Sequence, residues 1–239
     1  MPQDANVGSR SVATFAKCFG SKELYEEAVE NSLEAWRVGR DAQFFRAPCI
    51  VDSDPNRWLI EFELLDGWTE VLSLIRSWTL RGWPRAELVD LFHRIGYAVA
   101  EYHDATGKIH GDLYPANVLC RKDDHRVYLI DFSRPNPRLH SDGGAYNYGS
   151  IYTDLALFAI FVLVKYTPPQ MPLAWRPVNR DLTREFLRGY FERAPGSYDP
   201  QDFDSEFSRL LREGGVLPRT FMSRFFGWTR IFRVDDLQP

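Results

Sequence analysis

The sequence predicts an α+β fold made of two regions, a small sheet with one covering helix and a mainly helical remainder. Strand-like and helix-like segments alternate from about residue 10 to residue 65, whereas long helical stripes dominate from about residue 84 onward. The 239 residues are 44% hydrophobic and 26% charged, enough to bury the core of one domain or of two closely joined lobes. We divide the chain into a small lobe, 1–65, and a helical lobe, 66–239.

The first region combines three strand patterns with one helix. The segments "SVATFAKCF", "APCIVD" and "RWLIEFELL" carry the β-branched and aromatic residues typical of strands. Between them, "KELYEEAVENSLEAW" is amphipathic, with Ser21 as the predicted N-cap and Gly39 just past the predicted end. Its apolar residues at helical spacing are Tyr25, Val29, Leu33 and Trp36.

The sequence of the second region predicts several helices and one short hairpin. Pro84 opens a helix whose apolar stripe contains Leu88, Leu91, Phe92, Ile95, Val99 and Tyr102. The segments "NVLC" and "VYLID", separated by the turn-like "RKDDH", are predicted to pair as a hairpin. The apolar run "LALFAIFVLV" at 155–164 is half the length of a membrane span, so we predict a helix buried on all sides.

Charge and cysteine content narrow the class of protein. A formal net charge of -4 argues against a nucleic-acid binder that relies on broad phosphate neutralisation, so no nucleic-acid partner is expected. Cys18, Cys49 and Cys120 are too widely spaced for a zinc cluster or a disulfide framework, which favours a reducing compartment. The N-terminal "MPQDANVGSR" lacks the apolar core of a secretory signal, and we expect a cytoplasmic protein.

The stretch "HGDLYPANVLCRKDDHRVYLIDFSR", residues 110–134, predicts a metal and phosphate site. The hairpin would bring Asn117, at the start of one strand, near Asp131, at the end of its partner. Mg²⁺ favours one or two such oxygen ligands, completed by water and substrate phosphates. Asp112, on the preceding loop, would be free to accept or orient a hydroxyl proton, as in phosphoryl transfer.

These residues also carry a family resemblance. "HGDLYPANVL" followed by "YLIDF" resembles the catalytic loop and metal-binding strand of the protein-kinase-like superfamily. Together with "IDFSR", the motif most resembles the bacterial lipopolysaccharide kinase family, which phosphorylates sugars of the lipid A core. The resemblance implies a two-lobed kinase-like fold, ATP and Mg²⁺ as cofactors, and a lipid-linked sugar or other small-molecule acceptor.

The resemblance implies further site residues. Lys17 matches the strand lysine that contacts the α and β phosphates of the nucleotide, and Glu30 matches the helix glutamate that holds this lysine, with Glu26 and Glu27 as close competitors. "LIEFELLDGW" resembles the hinge that binds adenine through main-chain groups, which places Glu61 and Glu63 at the nucleotide.

Two residues are expected to shape the catalytic loop. Asp154, in "YTDLALFAI", would brace it from the buried helix, and His110 would bond backbone carbonyls.

Departures from the family pattern shape the expected fold and acceptor. Sixteen residues precede Lys17, where the superfamily normally has two further strands and a phosphate-covering loop, so we expect a shortened small lobe with Gly8 alone in that role. Tyr114 stands where eukaryotic protein kinases carry a lysine, which favours a non-protein acceptor. Ser133 replaces the glycine of the usual Asp-Phe-Gly.

Two arginine-containing segments bear on the acceptor. The Gly- and Pro-rich 133–150 holds Arg134, Arg138 and His140, which either grip substrate anions or are solvated loop charges. In "PRTFMSRFFGWTRIFRV", Arg219, Arg224, Arg230 and Arg233 alternate with large apolar residues. This pattern suits a helix in peripheral contact with the cytoplasmic face of the inner membrane, or a terminal helix packed on the larger lobe.

Other functions stay open at this stage. The chain can be a different small-molecule kinase, an atypical protein kinase, a non-catalytic pseudokinase or a membrane-associated adaptor. Lys17 can be an ordinary edge-strand lysine, and Glu30 can belong to a solvated face with Glu23, Glu27 and Glu34. The sequence does not name the acceptor, the oligomeric state or the role of most of 166–239.

Overall fold

The computed structural model describes residues 13–77, 85–132, 150–165, 176–194 and 199–213. Helices and strands alternate in the first half, and helices dominate the second. The described strands are β1 (Thr14–Cys18), β2 (Phe45–Arg46), β3 (Ile50–Asp54), β4 (Leu59–Glu63), β5 (Thr69–Glu70), β6 (Val118–Cys120) and β7 (Val127–Leu129). The described helices are α1 (Lys22–Asp41), α2 (Val71–Ser77), α3 (Arg85–Thr106), α4 (Ile151–Ile160), α5 (Arg176–Arg193) and α6 (Pro200–Glu213).

The small lobe is an antiparallel sheet in the order β1-β4-β3, covered by α1. Lys17 in β1 lies opposite Ile60 in β4, whose side chain is fully buried. Ser21 caps α1 as predicted, since its hydroxyl accepts a hydrogen bond from Leu24 N at 3.3 Å. The predicted strands and covering helix are therefore present.

Helix α1 differs from its prediction in length and in phase. It continues past Gly39 to Asp41, so Gly39 is not a helix terminator. A Cβ at Gly39 would lie 3.1 Å from the Ala47 main-chain nitrogen, so the glycine instead permits close approach to the next segment. The buried face is formed by Tyr25, Ala28, Ser32, Ala35 and Gly39, and of the predicted stripe only Tyr25 belongs to it. Small side chains on this face bring α1 close to its neighbours.

A second sheet, in the order β2-β7-β6-β5, joins the two regions. Its hairpin is the predicted one, with Val118 in β6 opposite Leu129 in β7. Strand β2 precedes residue 65, yet it pairs in parallel with β7. The two regions therefore share a sheet, and the division at residue 65 stays a prediction.

The helical lobe matches its predicted pattern. Helix α3 begins directly after Pro84, and the six apolar residues of its predicted stripe are buried. Helix α4 and the π-helical turn Phe161–Lys165 that follows it are buried from Tyr152 to Leu163, which confirms a helix enclosed by protein. None of the described helices is long and apolar enough to cross a membrane. The sheet lobe and the helical lobe confirm the predicted α+β class.

Helices α3 and α5 touch backbone to backbone at two glycines. A Cβ on Gly96 would lie 2.1 Å from the carbonyl oxygen of Phe186, and one on Gly189 would lie 2.1 Å from that of His93. Real Cβ atoms do not approach so closely, so any larger residue must separate the helices.

We expect Gly96→Ala to lower the free energy of unfolding by about 1–3 kcal/mol or more, because the added methyl group overpacks this contact. Chemical denaturation monitored by circular dichroism measures the change. Gly20→Ala is the matched control, since a Cβ there has no atom within 4 Å. Equal stability of the two variants would contradict the close contact.

Candidate active site

A buried carboxylate shapes the loop that carries Asp112. Asp154 is fully buried on α4, and its Oδ2 accepts a hydrogen bond from His110 N at 2.6 Å. Its Oδ1 accepts one from Gly111 N at 2.9 Å. His103 Nε2 lies 3.0 Å from the same Oδ2, and because a carboxylate only accepts, this ring nitrogen donates. These bonds confirm that Asp154 braces the loop.

His110 and Gly111 hold the loop in one conformation. His110 Nε2 lies 3.0 Å from the Ile130 carbonyl oxygen and donates to it, as predicted for a loop-shaping histidine. Burial lowers the pKa of His110, so its ring is neutral at neutral pH. Gly111 has φ +82°, a left-handed conformation that glycine adopts without the steric cost of a Cβ.

Asp112 and Asn117 lie side by side. Asn117 Nδ2 donates to the main-chain oxygen of Asp112 at 2.9 Å and to its Oδ2 at 3.4 Å. The amide oxygen Oδ1 of Asn117 is then the atom of this side chain that remains for a cation. Ile130 N donates to the Asn117 main-chain oxygen at 3.0 Å, which places Asp131, the next residue, beside Asn117.

Asp131 adopts a strained backbone and pairs with Lys17. Its φ of 65° lies in the left-handed region, which costs a non-glycine residue of order 1–3 kcal/mol, although Asp enters it more readily than most. The Asp131 carboxylate forms an ion pair with the Lys17 ammonium, and both side chains are about a third exposed. The Lys17 ammonium also lies 5.3 Å from the centre of the Phe19 ring. The structure thus brings together Lys17, Asp112, Asn117 and Asp131.

The negative charges around Asn117 suit a divalent cation. Burial, and next the charge of Asp131, raise the pKa of Asp112 to about 6. A cation between these carboxylates would relieve their repulsion, and Asn117 Oδ1 adds a neutral oxygen. Within the described ranges, no group of three or more His, Cys, Asp or Glu side chains is arranged to hold a metal ion. A site with few protein ligands is what Mg²⁺ commonly uses, because water and phosphate complete its coordination.

A cavity of about 490 Å³ adjoins this cluster. Lys17 and Asp131 supply polar groups to a mostly apolar lining that includes Ala28, Phe62 and Leu119. Leu64 and Leu65 form part of its wall, and within the part of the chain that the structure describes the Leu65 N–H has no acceptor. An apolar cavity whose lining includes Leu65, with its main-chain donor, and the charged Lys17 and Asp131 suits an adenine nucleotide.

The hinge glutamates have different positions. Glu63 lines the cavity, while its carboxylate accepts a hydrogen bond from Cys49 N at 2.9 Å. Glu61 does not line the cavity and accepts a hydrogen bond from the Thr14 hydroxyl at 3.1 Å. The structure therefore places Glu63, but not Glu61, in the cavity lining, and binding of adenine by the main chain of this segment stays a prediction.

The structure gives Lys17 a different partner from the predicted Glu30. Glu30 does not contact Lys17; its side chain is 77% exposed, with its carboxylate 3.7 Å from the Lys108 ammonium. Helix α1 contributes Ala28 and Ser32 to the cavity that Lys17 also lines, and neither of these side chains is a carboxylate. Lys17 takes Asp131 as its counterion instead.

His103 and Lys108 were not predicted as site residues. His103 supports Asp154, and its Nδ1 lies 2.9 Å from the Tyr190 hydroxyl on α5. Its spacing of four residues from Val99 continues the buried stripe of α3, a signal that it faces inward. Lys108 contacts α1, and no sequence pattern marks it. Gly8, Ser133, Arg134, Arg138, His140, Arg219, Arg224, Arg230 and Arg233 lie outside the described residues.

Residues 49–144 match the sequence model of the lipopolysaccharide kinase (Kdo/WaaP) family, a stretch that contains Asp112, Asn117 and Asp131. No curated protein gives a significant match. Among solved structures, WaaP in complex with acyl carrier protein is 19% identical, with a TM-score of 0.44 and coverage of 77% of this chain and 72% of that chain. The PknI kinase domain of Mycobacterium tuberculosis is 20% identical, with a TM-score of 0.45 and coverage of 84% and 85%.

The family match confirms the resemblance predicted from the two motifs, and with it the prediction of a kinase. The matched stretch includes β3, β4, the catalytic loop and the hairpin.

We expect Asp112→Asn to raise the free energy of unfolding at pH 7, because it removes a carboxylate whose charged form is disfavoured by burial. The increase is at most about 3 kcal/mol, and screening by solvent reduces it. The Asp112 pKa is raised from 3.8 to about 6 in the folded protein, so the folded state binds more protons between these values. The stability of the wild-type protein relative to the variant should therefore fall as pH rises from about 4 to about 6, then stay constant.

Chemical denaturation at several pH values measures this difference. Asp66→Asn, at an exposed turn, is the control and should change stability little. An Asp112→Asn protein that is less stable than wild type at pH 7 would contradict the unfavourable burial of the Asp112 charge.

Proposed function

We propose that this kinase, which resembles the lipopolysaccharide kinase (Kdo/WaaP) family over residues 49–144, transfers the terminal phosphate of ATP to a sugar hydroxyl of the lipopolysaccharide core. The observation that carries the proposal is the meeting of Asp112, Asn117 and Asp131 beside a cavity that Lys17 also lines. The family supplies the acceptor class, and the site supplies the chemistry.

Each of these side chains has a proposed role. Asp112 accepts or orients the proton of the acceptor hydroxyl, while Asn117 and Asp131 hold Mg²⁺. Lys17 binds the phosphates, and the main chain of Glu63 to Leu65 binds the adenine. The bound Mg²⁺ would neutralise charge that develops on the transferred phosphoryl group. The neutral His110 and the buried Asp154 keep Asp112 in place and take no part in proton transfer.

The acceptor also implies a location. A lipid-linked sugar is reached at the cytoplasmic face of the inner membrane, and the arginine-rich segment at 218–234 is a candidate for peripheral contact with anionic lipids. We therefore place the protein in the cytoplasm, at least partly bound to that membrane face. Binding to anionic vesicles that is lost when the four arginines are replaced would support this location.

We expect Asp131→Asn to lower kcat for phosphate transfer by at least about a hundredfold. The metal ion stabilises charge in the transition state and so lowers the activation barrier by several kcal/mol. The measurement is transfer of radiolabelled phosphate from ATP to purified lipopolysaccharide core acceptors in the presence of Mg²⁺. Asp104→Asn, an exposed change on α3, should retain full activity. Full activity of Asp131→Asn would contradict the assignment of the metal ligand.

A pseudokinase is the second candidate, favoured by one observation, the ion pair of Lys17 with the proposed metal ligand Asp131. A pseudokinase would give no transfer to any acceptor. Thermal shift with ATP, with and without Mg²⁺, separates the candidates further, since a ligand that binds only the folded state raises the melting temperature. A shift without transfer to sugars, small metabolites or protein substrates would favour the pseudokinase.

A further inference from the structure

A single lysine joins α1 to the segment that leads into the catalytic loop. The Lys108 ammonium lies 2.5 Å from Glu34 Oε2 and 3.7 Å from Glu30 Oε1. It also donates to Asn31 Oδ1 at 3.4 Å. These acceptors lie on adjacent turns of one helix, whereas Lys108 is separated from His110 by one residue.

The contact bridges two parts of the proposed active site. Helix α1 contributes Ala28 and Ser32 to the wall of the cavity. Lys108 belongs to the chain segment whose next residues are fixed by Asp154 through His110 N and Gly111 N. A shift of α1 would therefore change the cavity while the catalytic loop stays fixed, unless a contact such as that of Lys108 joins them.

The ion pair expected between the strand lysine and α1 is replaced by this contact. Lys17 pairs with Asp131 and not with a glutamate of α1. The glutamate predicted to hold Lys17, Glu30, instead faces Lys108. Glu30 and Glu34 of α1 are thus directed toward Lys108.

We propose that Lys108 is a positioning residue that holds α1 against the catalytic loop, and so sets the width of the nucleotide cavity relative to Asp112. The inference rests on the proposed function for its effect on catalysis, but the contact itself is independent of it. Hydrogen bonding to Glu34 raises the pKa of Lys108, so the lysine is charged throughout the neutral range. Both side chains of the closest pair are a little over a third exposed, so its contribution is modest.

Charge reversal and its rescue test the proposal. We expect Lys108→Glu and Glu34→Lys each to raise KM for ATP about fivefold, the effect of losing a partly exposed ion pair worth about 1 kcal/mol. The double variant should return KM to within about twofold of wild type, because the opposite charges meet again. A role in general stability alone would lower the melting temperature of the single variants and leave KM unchanged.

Lys122→Glu is the matched control. Lys122 forms an ion pair with Glu87, 3.2 Å away, which is more exposed than that of Lys108 and does not involve α1. This variant should leave KM and kcat unchanged. Lys108→Met has an unbranched side chain of similar length but no charge, and its KM should resemble that of the single reversals. It keeps the test valid if the Lys108→Glu protein does not fold.

Amide hydrogen exchange of α1 gives a second measurement that needs no activity. Faster exchange in α1 for the single variants, restored in the double variant, supports the proposal. Unchanged exchange and unchanged KM in Lys108→Glu and Lys108→Met would overturn it. If the wild-type protein neither binds ATP nor transfers phosphate, the proposed function fails, and the exchange data alone decide whether Lys108 positions α1.

Discussion

The buried carboxylate of Asp154 is the constraint on which the active site depends. It takes hydrogen bonds from two consecutive main-chain N–H groups and from His103, so it fixes the turn that presents Asp112. Charged hydrogen bonds of this kind contribute about 1.5–3 kcal/mol each, which offsets the cost of burying the carboxylate. Tyr190 links His103 to α5, which also contacts α3 backbone to backbone at Gly96.

Several features of the site that Asp154 supports are unfavourable for the stability of the folded protein. Asp112 is partly buried close to another carboxylate, and Asp131, which pairs with Lys17, has a left-handed backbone. Local strain and repulsion of this kind persist only when the surrounding structure holds the residues in place. A nucleotide with a divalent cation would satisfy these charges, and this accounts for their being kept together at the edge of an apolar cavity.

Local patterns in the sequence predicted the elements that position the site. The turn-like "RKDDH" between "NVLC" and "VYLID" predicted the hairpin, and the hairpin placed Asn117 near Asp131. The stripe of α3 followed from its helical period. The phase of α1 could not be predicted in this way, because small residues such as Ala28 and Gly39 form its buried face through tertiary contacts. The partner of Lys17 depends on that phase, and the structure pairs Lys17 with Asp131 where the sequence had predicted Glu30.

A crystal structure with Mn²⁺ and a non-hydrolysable ATP analogue would show whether Asn117 and Asp131 hold the metal ion beside Asp112. We expect one anomalous peak at coordination distance from Asn117 Oδ1 and the Asp131 carboxylate, with the terminal phosphate beside Asp112 and the adenine against Leu65. A nucleotide bound elsewhere, or a metal ion that touches neither Asn117 nor Asp131, would contradict it.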